Sequence, residues 1–585
     1  MGFSSSGAPR YGRFLLLIAG VGGLLYGIDV GVIAAALLYL SKTIDLTVAQ
    51  TSIVVAAVLG GSMVSSLVAG VLADLFGRKT MIIVSGVTFV ASVGLIVLSQ
   101  AFVPLFCGRL LQGMSGGVIA VVVPLYLAEC LSAETRGRGT AIFQFMLTVG
   151  IAGASLTGWY YTRQAENAIA FAAGNQDLIR AIESHAWRGM FLAVIYPGLV
   201  FLLGSFFLAE SPRWLFRRGR TAEAKAALLR STSAAEAERE MEEMRLLAAG
   251  RQKAAGAKGK DSLLRRKYVL PFLLACLILS LNQATGINSI LGYLVLILKQ
   301  AGLGARSATL GDVTVKVLNC AMTVVAVALV DRKGRRFLLR VGTAGVLLAL
   351  AAGGLLFHVV ESHRIDVRPL LQAQIRQGPR GETLTLPVSP STFPAVPATA
   401  VAGAAEGPRP GPVELTVLYS YGDGEKLASV LSSDADPVLR LAPEKETGKH
   451  LVHLVLERAR YGPAPPKTTG WLIAGSLTVF IAFFALGPGV VVWLALSELM
   501  PTRIRSIGMG VALLLNQGVS TLIAALFLPV AGNYGYAAMF FFWAACTLIY
   551  FLAATYWLPE TKGKTLEEIE QHFEGRAANG VESSA

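Results

Sequence analysis

Charge is scarce in this sequence. Of 585 residues, 15% are charged and 54% are hydrophobic, where a soluble protein carries roughly 25% charge. A chain this long cannot cover two or more soluble cores with so few charges, which excludes a soluble enzyme, a disordered protein and a disulfide scaffold. The five cysteines (Cys107, Cys130, Cys276, Cys320, Cys546) form no CxxC pair and lie in or beside apolar runs, which excludes a redox or metal framework. There is no His-Glu-x-x-His, Gly-x-Ser-x-Gly or Walker sequence, so neither an enzyme nor an ATP-driven machine is expected, and no cofactor. Asn-x-Ser/Thr sequons are also missing, which fits a bacterial inner membrane. The net charge of +14 does not indicate nucleic acid, because the basic residues sit in the gaps between apolar spans.

What is abundant is apolar sequence in blocks of bilayer length, about 20 residues each. Twelve spans are expected near 14–39, 52–74, 80–101, 104–128, 139–161, 188–208, 268–298, 307–330, 337–359, 470–496, 506–530 and 535–557. They are continuously apolar, hence helices rather than barrel strands. The first lacks a cleavage site and is too long for a signal peptide, so it is read as a retained span. Segment 209–267 holds 15 Lys/Arg against 8 Asp/Glu. The short basic loops at Arg78-Lys79, Arg136–Arg138 and Arg332–Arg336 fall on the same side. That side is expected to be cytoplasmic, with both termini. Within 221–247 the apolar residues recur at helical spacing, predicting amphipathic helices on the membrane face. Segment 162–186 reads as an outer loop of mixed charge. Segment 360–469 holds 14 of the 24 prolines. Its first half reads as irregular. Its second half predicts a small β element: a strand over Val413–Tyr419, a turn at Gly422–Gly424 and a run over Leu451–Leu456.

Three charged signatures recur in order. Gly70-x3-Asp74-x2-Gly77-Arg78-Lys79 after span two matches Asp331-x2-Gly334-Arg335-Arg336 after span eight. Glu129 with Arg136 after span four matches Glu498 with Arg505 after span ten. Glu210-Ser-Pro-Arg213 after span six matches Pro559-Glu560-Thr-Lys after span twelve. A duplicated six-helix bundle explains this order, and two similar halves around a central cavity form a transporter architecture. The expected organisation is an N-terminal bundle (1–208), a cytoplasmic helical linker (209–267), a C-terminal bundle (268–557) interrupted by an extracytoplasmic insertion (360–469), and a cytoplasmic tail (558–585).

These motifs, with Pro124–Glu129, Trp187-Arg-Gly-Met190, Glu210–Trp214, Gln283-Ala-Thr-Gly-Ile-Asn288, Gly487-Pro-Gly489 and Pro559–Gly563, give a chain that resembles the sugar porters of the major facilitator superfamily over about residues 15–560. The resemblance implies an all-α membrane fold of twelve helices in two pseudo-symmetric bundles. It also implies alternating-access transport of a monosaccharide, hexose or pentose, and function as a monomer in the lipid bilayer.

Physical reading of the residues supports parts of this. Asp29 in span one and Arg109 in span four are ionisable groups within hydrocarbon, which are usually paired or functional. Asp29 can neutralise by taking a proton and Arg109 cannot lose one, so a salt bridge between them can switch. A static structural pair is the plainer reading, while the resemblance implies H⁺ symport. A sugar needs amides for its hydroxyls and an aromatic face for its ring. Gln283 and Asn288, five residues apart, converge only if the helix breaks at Gly286. The resemblance places substrate contacts on Tyr26, Gln144, Gln283, Asn288, Asn319, Trp493 and Asn516, with Trp493 loosened by Gly487-Pro-Gly489 as a gate. It places a cytoplasmic ion-pair gate on Asp74, Arg78, Glu129, Arg136, Glu210, Arg213, Asp331, Arg335, Arg336, Glu498, Arg505 and Glu560. Taken singly, each amide reads as a helix–helix hydrogen bond and each loop charge as a topology signal. Lys316, mid-span, is expected to meet a water-filled cavity or an acidic partner.

The sequence departs from the family at Asn282, Gly292, Ala485 and Gln517. A polyol or cyclitol substrate therefore stands beside the sugar, a uniporter beside the symporter, and a membrane sugar sensor beside both.

Overall fold

The computed structural model describes residues 10–131, 133–172, 174–254, 266–378, 381–393, 412–422, 424–434, 436–443, 453–492, 499–500, 504–560 and 573; the side chains of 10, 133–138, 140, 247–254, 266–267, 331 and 505–507 are outside that description. Among the described residues twelve helices are long and apolar enough to cross a membrane. They are Tyr11–Gly31, Val48–Phe76, Arg78–Leu98, Phe102–Cys130, Ala141–Phe171, Gln176–Phe206, Tyr268–Gln300, Ala305–Val330, Arg335–Ser362, Lys467–Gly489, Gly508–Tyr534 and Tyr536–Trp557, called here the first to twelfth spans.

Small residues set the distances within a half. In the first span Gly27 lies against the backbone of the fifth, where a Cβ would stand 1.9 Å from the Leu147 carbonyl oxygen. In the fourth span Gly113 meets the second, 2.0 Å from that of Val58. Backbones this close pack tightly without a hydrophobic driving force, as helices in lipid must.

The expected mixed-charge loop at 162–186 is helical instead. The fifth span continues to Phe171 and the sixth begins at Gln176, where the Asn175 side chain accepts from the Leu178 N–H. Its charges are used locally: Tyr39 donates to Glu166 at 3.0 Å and Lys42 pairs with Glu183 at 2.7 Å. No proline interrupts the stretch, so its polar residues do not stop the helix. Beyond the sixth span, helices Thr221–Ser231 and Ala234–Ala254 bury Leu228, Met241 and Met244 with Leu215. Arg230 lies over the Tyr11 ring at 4.6 Å.

Between the ninth and tenth spans stands a β module with two antiparallel sheets. One has the order β1 (Ile365–Asp366), β7 (Val455–Pro463), β4 (Val413–Ser420), β5 (Glu425–Leu431); the other is β2 (Arg376–Gly378), β3 (Gly381–Pro387), β6 (Val438–Leu441). The strand at Val413 and the turn before Glu425 fall where the alternation placed them. Two expectations need correction. The proline-rich first half carries β2 and β3, because Leu384 and Leu386 alternate into a shared core against Leu441 and Leu439. The last strand begins at Val455 rather than Leu451, and residues 451–452 lie outside the described residues. Its outward positions Glu457, Arg458 and Arg460 are charged, which hides the strand from a search for apolar runs.

The two six-span halves meet toward the end that carries this module. The Leu528 N–H donates to Ser52 Oγ at 3.3 Å, Lys316 donates to the Gly31 carbonyl at 3.2 Å, and Lys426 of β5 pairs with Asp45. The charged signature motifs lie at the opposite end.

Candidate functional site

Three constellations sit along the central axis. The first is an amide cluster in the C-terminal half. The seventh span is broken. One helix ends at Ala284, Gly286 takes φ +81°, and a second helix begins at Ile287. Only glycine adopts that conformation without strain, and a Cβ there would also stand 2.4 Å from the indole of Trp543. The break turns Gln283 and Asn288 toward each other: Asn288 Nδ2 donates to Gln283 Oε1 at 3.0 Å and to Ser520 Oγ at 2.8 Å. Gln283 Nε2 donates to Asn516 Oδ1 at 3.3 Å, and Asn516 Nδ2 to the Leu279 carbonyl at 3.1 Å. Beneath them Trp543 stacks on Phe527, and Phe527 on Tyr293, with centroids 5.7 and 4.4 Å apart. Among the described residues Trp543 Nε1 is buried without a hydrogen bond. Hydrogen-bonding amides beside an aromatic stack form a surface suited to a polyhydroxylated ring.

The remaining sugar positions are less convergent. Tyr26 lies beside Ser62 and Gln517, reaching across to the eleventh span. Gln144 and Asn319 are half-buried, and among the described residues neither side chain bonds to the amide cluster. Trp493 lies outside the described residues. Sequence reasoning missed Ser520 and Trp543; a serine one turn after Asn516 gave a faint signal, and an indole in an apolar span gave none.

The second constellation is the buried acid and base. Asp29 and Arg109 are each 1% exposed. They act on each other electrostatically, but the expected salt bridge is not closed. Among the described residues neither Asp29 oxygen makes a hydrogen bond, although the Gln112 side chain lies near enough to act on the carboxyl group, and Arg109 NH1 donates instead to Gln112 Oε1 at 2.7 Å, one turn along the same helix. The guanidinium also lies 5.5 Å from the centre of the Phe191 ring. The local amide has taken the donor that the carboxylate would need. Lys316 meets an acid, Asp312, four residues away at 2.8 Å, both buried; of the two surroundings expected for it, the acidic partner is the one present.

The third constellation is the charge network at the end opposite the module. Arg78 holds Glu129 through Nε and NH2 at 2.8 and 3.0 Å, both nearly inaccessible, and reaches Asp74 at 2.7 Å. Ser211 also donates to Glu129. Glu210 Oε1 accepts the backbone N–H groups of Arg78 and Lys79 at 2.9 and 3.1 Å, capping the third span. The C-terminal half repeats the device: Glu560 accepts the N–H groups of Arg335 and Arg336, each at 3.1 Å, capping the ninth span. A carboxylate at a helix N-terminus satisfies free donors and the helix dipole together. Arg336 and Arg340 both donate to the Thr555 carbonyl. Among the described residues Arg213 Nε is buried without a hydrogen bond. These contacts stay within one half rather than joining the two. The side chains of Arg136, Asp331 and Arg505, and all of Glu498, lie outside the described residues.

Twelve spans in two halves, with a broken helix and buried charges along the axis, define a secondary carrier of the major facilitator fold. The chain belongs to the sugar transporter family: the family model described as "Sugar (and other) transporter" matches residues 15–367 and 453–573. It passes over 368–452, most of the β module. The glucose transporter GlcP of Staphylococcus epidermidis is 26% identical, over 97% of this chain and 99% of its own length. The galactose-proton symporter of Escherichia coli K12 is 26% identical, over 96% and 94%. The partially occluded inward-open structure of the E. coli xylose transporter XylE superposes with a TM-score of 0.63 at 19% identity, covering 95% of this chain and 99% of that one. The protein is a multi-pass membrane transporter, not an enzyme.

Proposed function

We propose that the protein is an H⁺-coupled symporter of a monosaccharide, hexose or pentose, working by alternating access with Asp29 and Arg109 as the coupling pair. The observation that carries the reading is Asp29 itself. It is a carboxyl group buried in a span with no hydrogen bond on either oxygen among the described residues, which is costly for an anion and tolerable for a neutral acid. Protonated, it leaves Arg109 to Gln112; deprotonated, it would draw the guanidinium back. The switch lies in the N-terminal half (1–208) and the amide cluster in the C-terminal half (268–557), so rocking of the halves about a shared pocket links proton to substrate. Gln283, Asn288 and Asn516 bind substrate hydroxyls, with Tyr26, Gln144, Asn319 and Trp493 completing the site from other spans. The similarity to a galactose-proton symporter supports the coupling.

The basic end faces the cytoplasm in this reading, with both termini and the 209–267 linker, and the module faces outward. The halves touch at the module end, which fits an inward-facing state. Asp74, Arg78, Glu129, Glu210, Arg213, Asp331, Arg335, Arg336 and Glu560, with Arg136, Glu498 and Arg505, hold the inner ends of the spans and close across the gap in the outward-facing state.

A polyol or cyclitol is the second reading. It rests on Gln517, an amide beside Tyr26 that adds hydrogen-bonding capacity to the pocket. Counterflow in proteoliposomes against a panel of hexoses, pentoses and polyols, with and without a pH gradient, tests both readings. Accumulation driven by an inward proton gradient supports symport, whereas counterflow indifferent to the gradient identifies a uniporter. Binding without any counterflow identifies a sensor.

A further inference from the structure

The β module seats on the outer ends of the C-terminal helices and leaves a small, partly open cavity of about 40 Å³ there. That is room for two or three waters or one compact ionic group. Strands β4, β5 and β7 form one wall, and the ends of the ninth, eleventh and twelfth spans form the other. Three arginines line it, Arg364, Arg458 and Arg460, with Glu361 and Tyr536 opposite.

The partners of these groups are unequal. Glu361 is engaged: it accepts the Tyr536 N–H at 2.7 Å and caps the twelfth span. Arg364 pairs with Glu414, which also accepts from Ser429 Oγ at 2.8 Å and Thr416 Oγ1 at 3.2 Å, so that carboxylate is saturated. The Arg364 side chain is only 8% exposed, and its Nε has no hydrogen bond among the described residues. Arg458 donates to the Gly532 and Asn533 carbonyls at the end of the eleventh span. Arg460 makes no hydrogen bond or ion pair among the described residues. Its neighbour across the sheet, Asp366, is held by the Arg368 N–H at 2.9 Å. Three guanidiniums gather beside the carboxylates of Glu361 and Glu414, with Asp366 acting on Arg460 from the neighbouring strand. Burial, and then the Arg458 guanidinium, push Arg460 below its ordinary value; Glu361 and Asp366 oppose the shift and Arg364 adds to it. Unpaired guanidinium donors in a cramped, partly dehydrated cavity recruit an anion, and the planar fork matches phosphate oxygens two at a time.

We propose that this cavity is a binding site for a phosphate group, with Arg460 as its principal ligand and Arg364 Nε as a second donor. The group arrives either as free phosphate or as the headgroup of an anionic lipid, since the cavity lies at the ends of the spans. The β4 and β5 wall of the site lies in the stretch that the family model passes over, while Arg364, Arg458 and Arg460 lie within the matched residues; the proposal is independent of the transport reading.

The test is the melting temperature of the full-length protein in nanodiscs. Inorganic phosphate is titrated against chloride at matched ionic strength in phosphatidylcholine discs; separately, phosphatidylglycerol replaces part of the phosphatidylcholine without phosphate. Stabilisation by phosphate in neutral discs, with an apparent dissociation constant at least tenfold weaker in Arg460→Gln, establishes a free-phosphate site. Stabilisation only by phosphatidylglycerol, likewise lost in Arg460→Gln, establishes a lipid site. Arg460→Lys keeps the charge without the fork and is expected to retain part of the effect; it replaces Arg460→Gln should that variant fail to fold. If wild type responds to neither ligand, or the variant responds as wild type does, the proposal is overturned.

Discussion

Gly286→Ala is the substitution with the most consequence per atom added. At φ +81° an alanine carries the left-handed penalty of about 1–2 kcal/mol. Its methyl group would also stand 2.4 Å from the fused ring carbons of Trp543. That indole is fully buried and stacked on Phe527 with planes 7° apart, so it has little room to yield; overpacking of this kind costs roughly 1–3 kcal/mol. The chain can relieve both terms by straightening the seventh span. A regular helix would then put Gln283 and Asn288 about 140° apart around the axis and break their 3.0 Å bond. The expected result is a loss of at least tenfold in apparent substrate affinity, about 1.4 kcal/mol, measured by counterflow half-saturation, with a lowered melting temperature. The double variant Gly286→Ala/Trp543→Ala removes the clash but not the backbone strain, so it should melt above the value that adding the two single effects gives. Wild-type affinity and melting in Gly286→Ala would refute the reasoning.

Two further outcomes follow from the same geometry. Glu129→Gln removes the charge that balances the buried Arg78 and leaves one amide oxygen where two carboxylate oxygens accepted, beside the exposed Asp74 and the Ala73 carbonyl; breaking a buried pair this way costs about 3–5 kcal/mol, read as a clear drop in melting temperature, and the exposed pair Arg220–Glu223 broken by Glu223→Gln should barely move it. Asn288→Ala removes the donor to both Gln283 and Ser520, so substrate affinity should fall tenfold or more while the melting temperature changes little, Asn288 itself being only half-buried.

The spans and the repeat were legible because hydrocarbon leaves the chain few choices: apolar runs of fixed length must be helices, and duplicated charges mark their ends. The break at Gly286 was legible for a similar reason, since two amides five apart have no other way to meet. Less visible were partners that depend on tertiary approach. Gln112 lies one turn from Arg109 in sequence, yet nothing local says that it, rather than Asp29, holds the guanidinium in this conformation. Trp543 is indistinguishable from any lipid-facing indole until Gly286 is seen against it. In the module, β7 alternates charge outward with apolar residues inward, and β3 follows prolines that suggest irregular chain; both were decided by pairing with strands far away in sequence.

The central claim is that one buried carboxyl group ties sugar movement to the proton gradient, and Asp29→Asn tests it most directly. In proteoliposomes with an inward proton gradient, the wild-type protein should accumulate its substrate and alkalinise the outside medium as substrate enters. The variant should retain counterflow and lose both accumulation and the pH signal. Accumulation against a gradient by Asp29→Asn, with undiminished alkalinisation, would contradict the account.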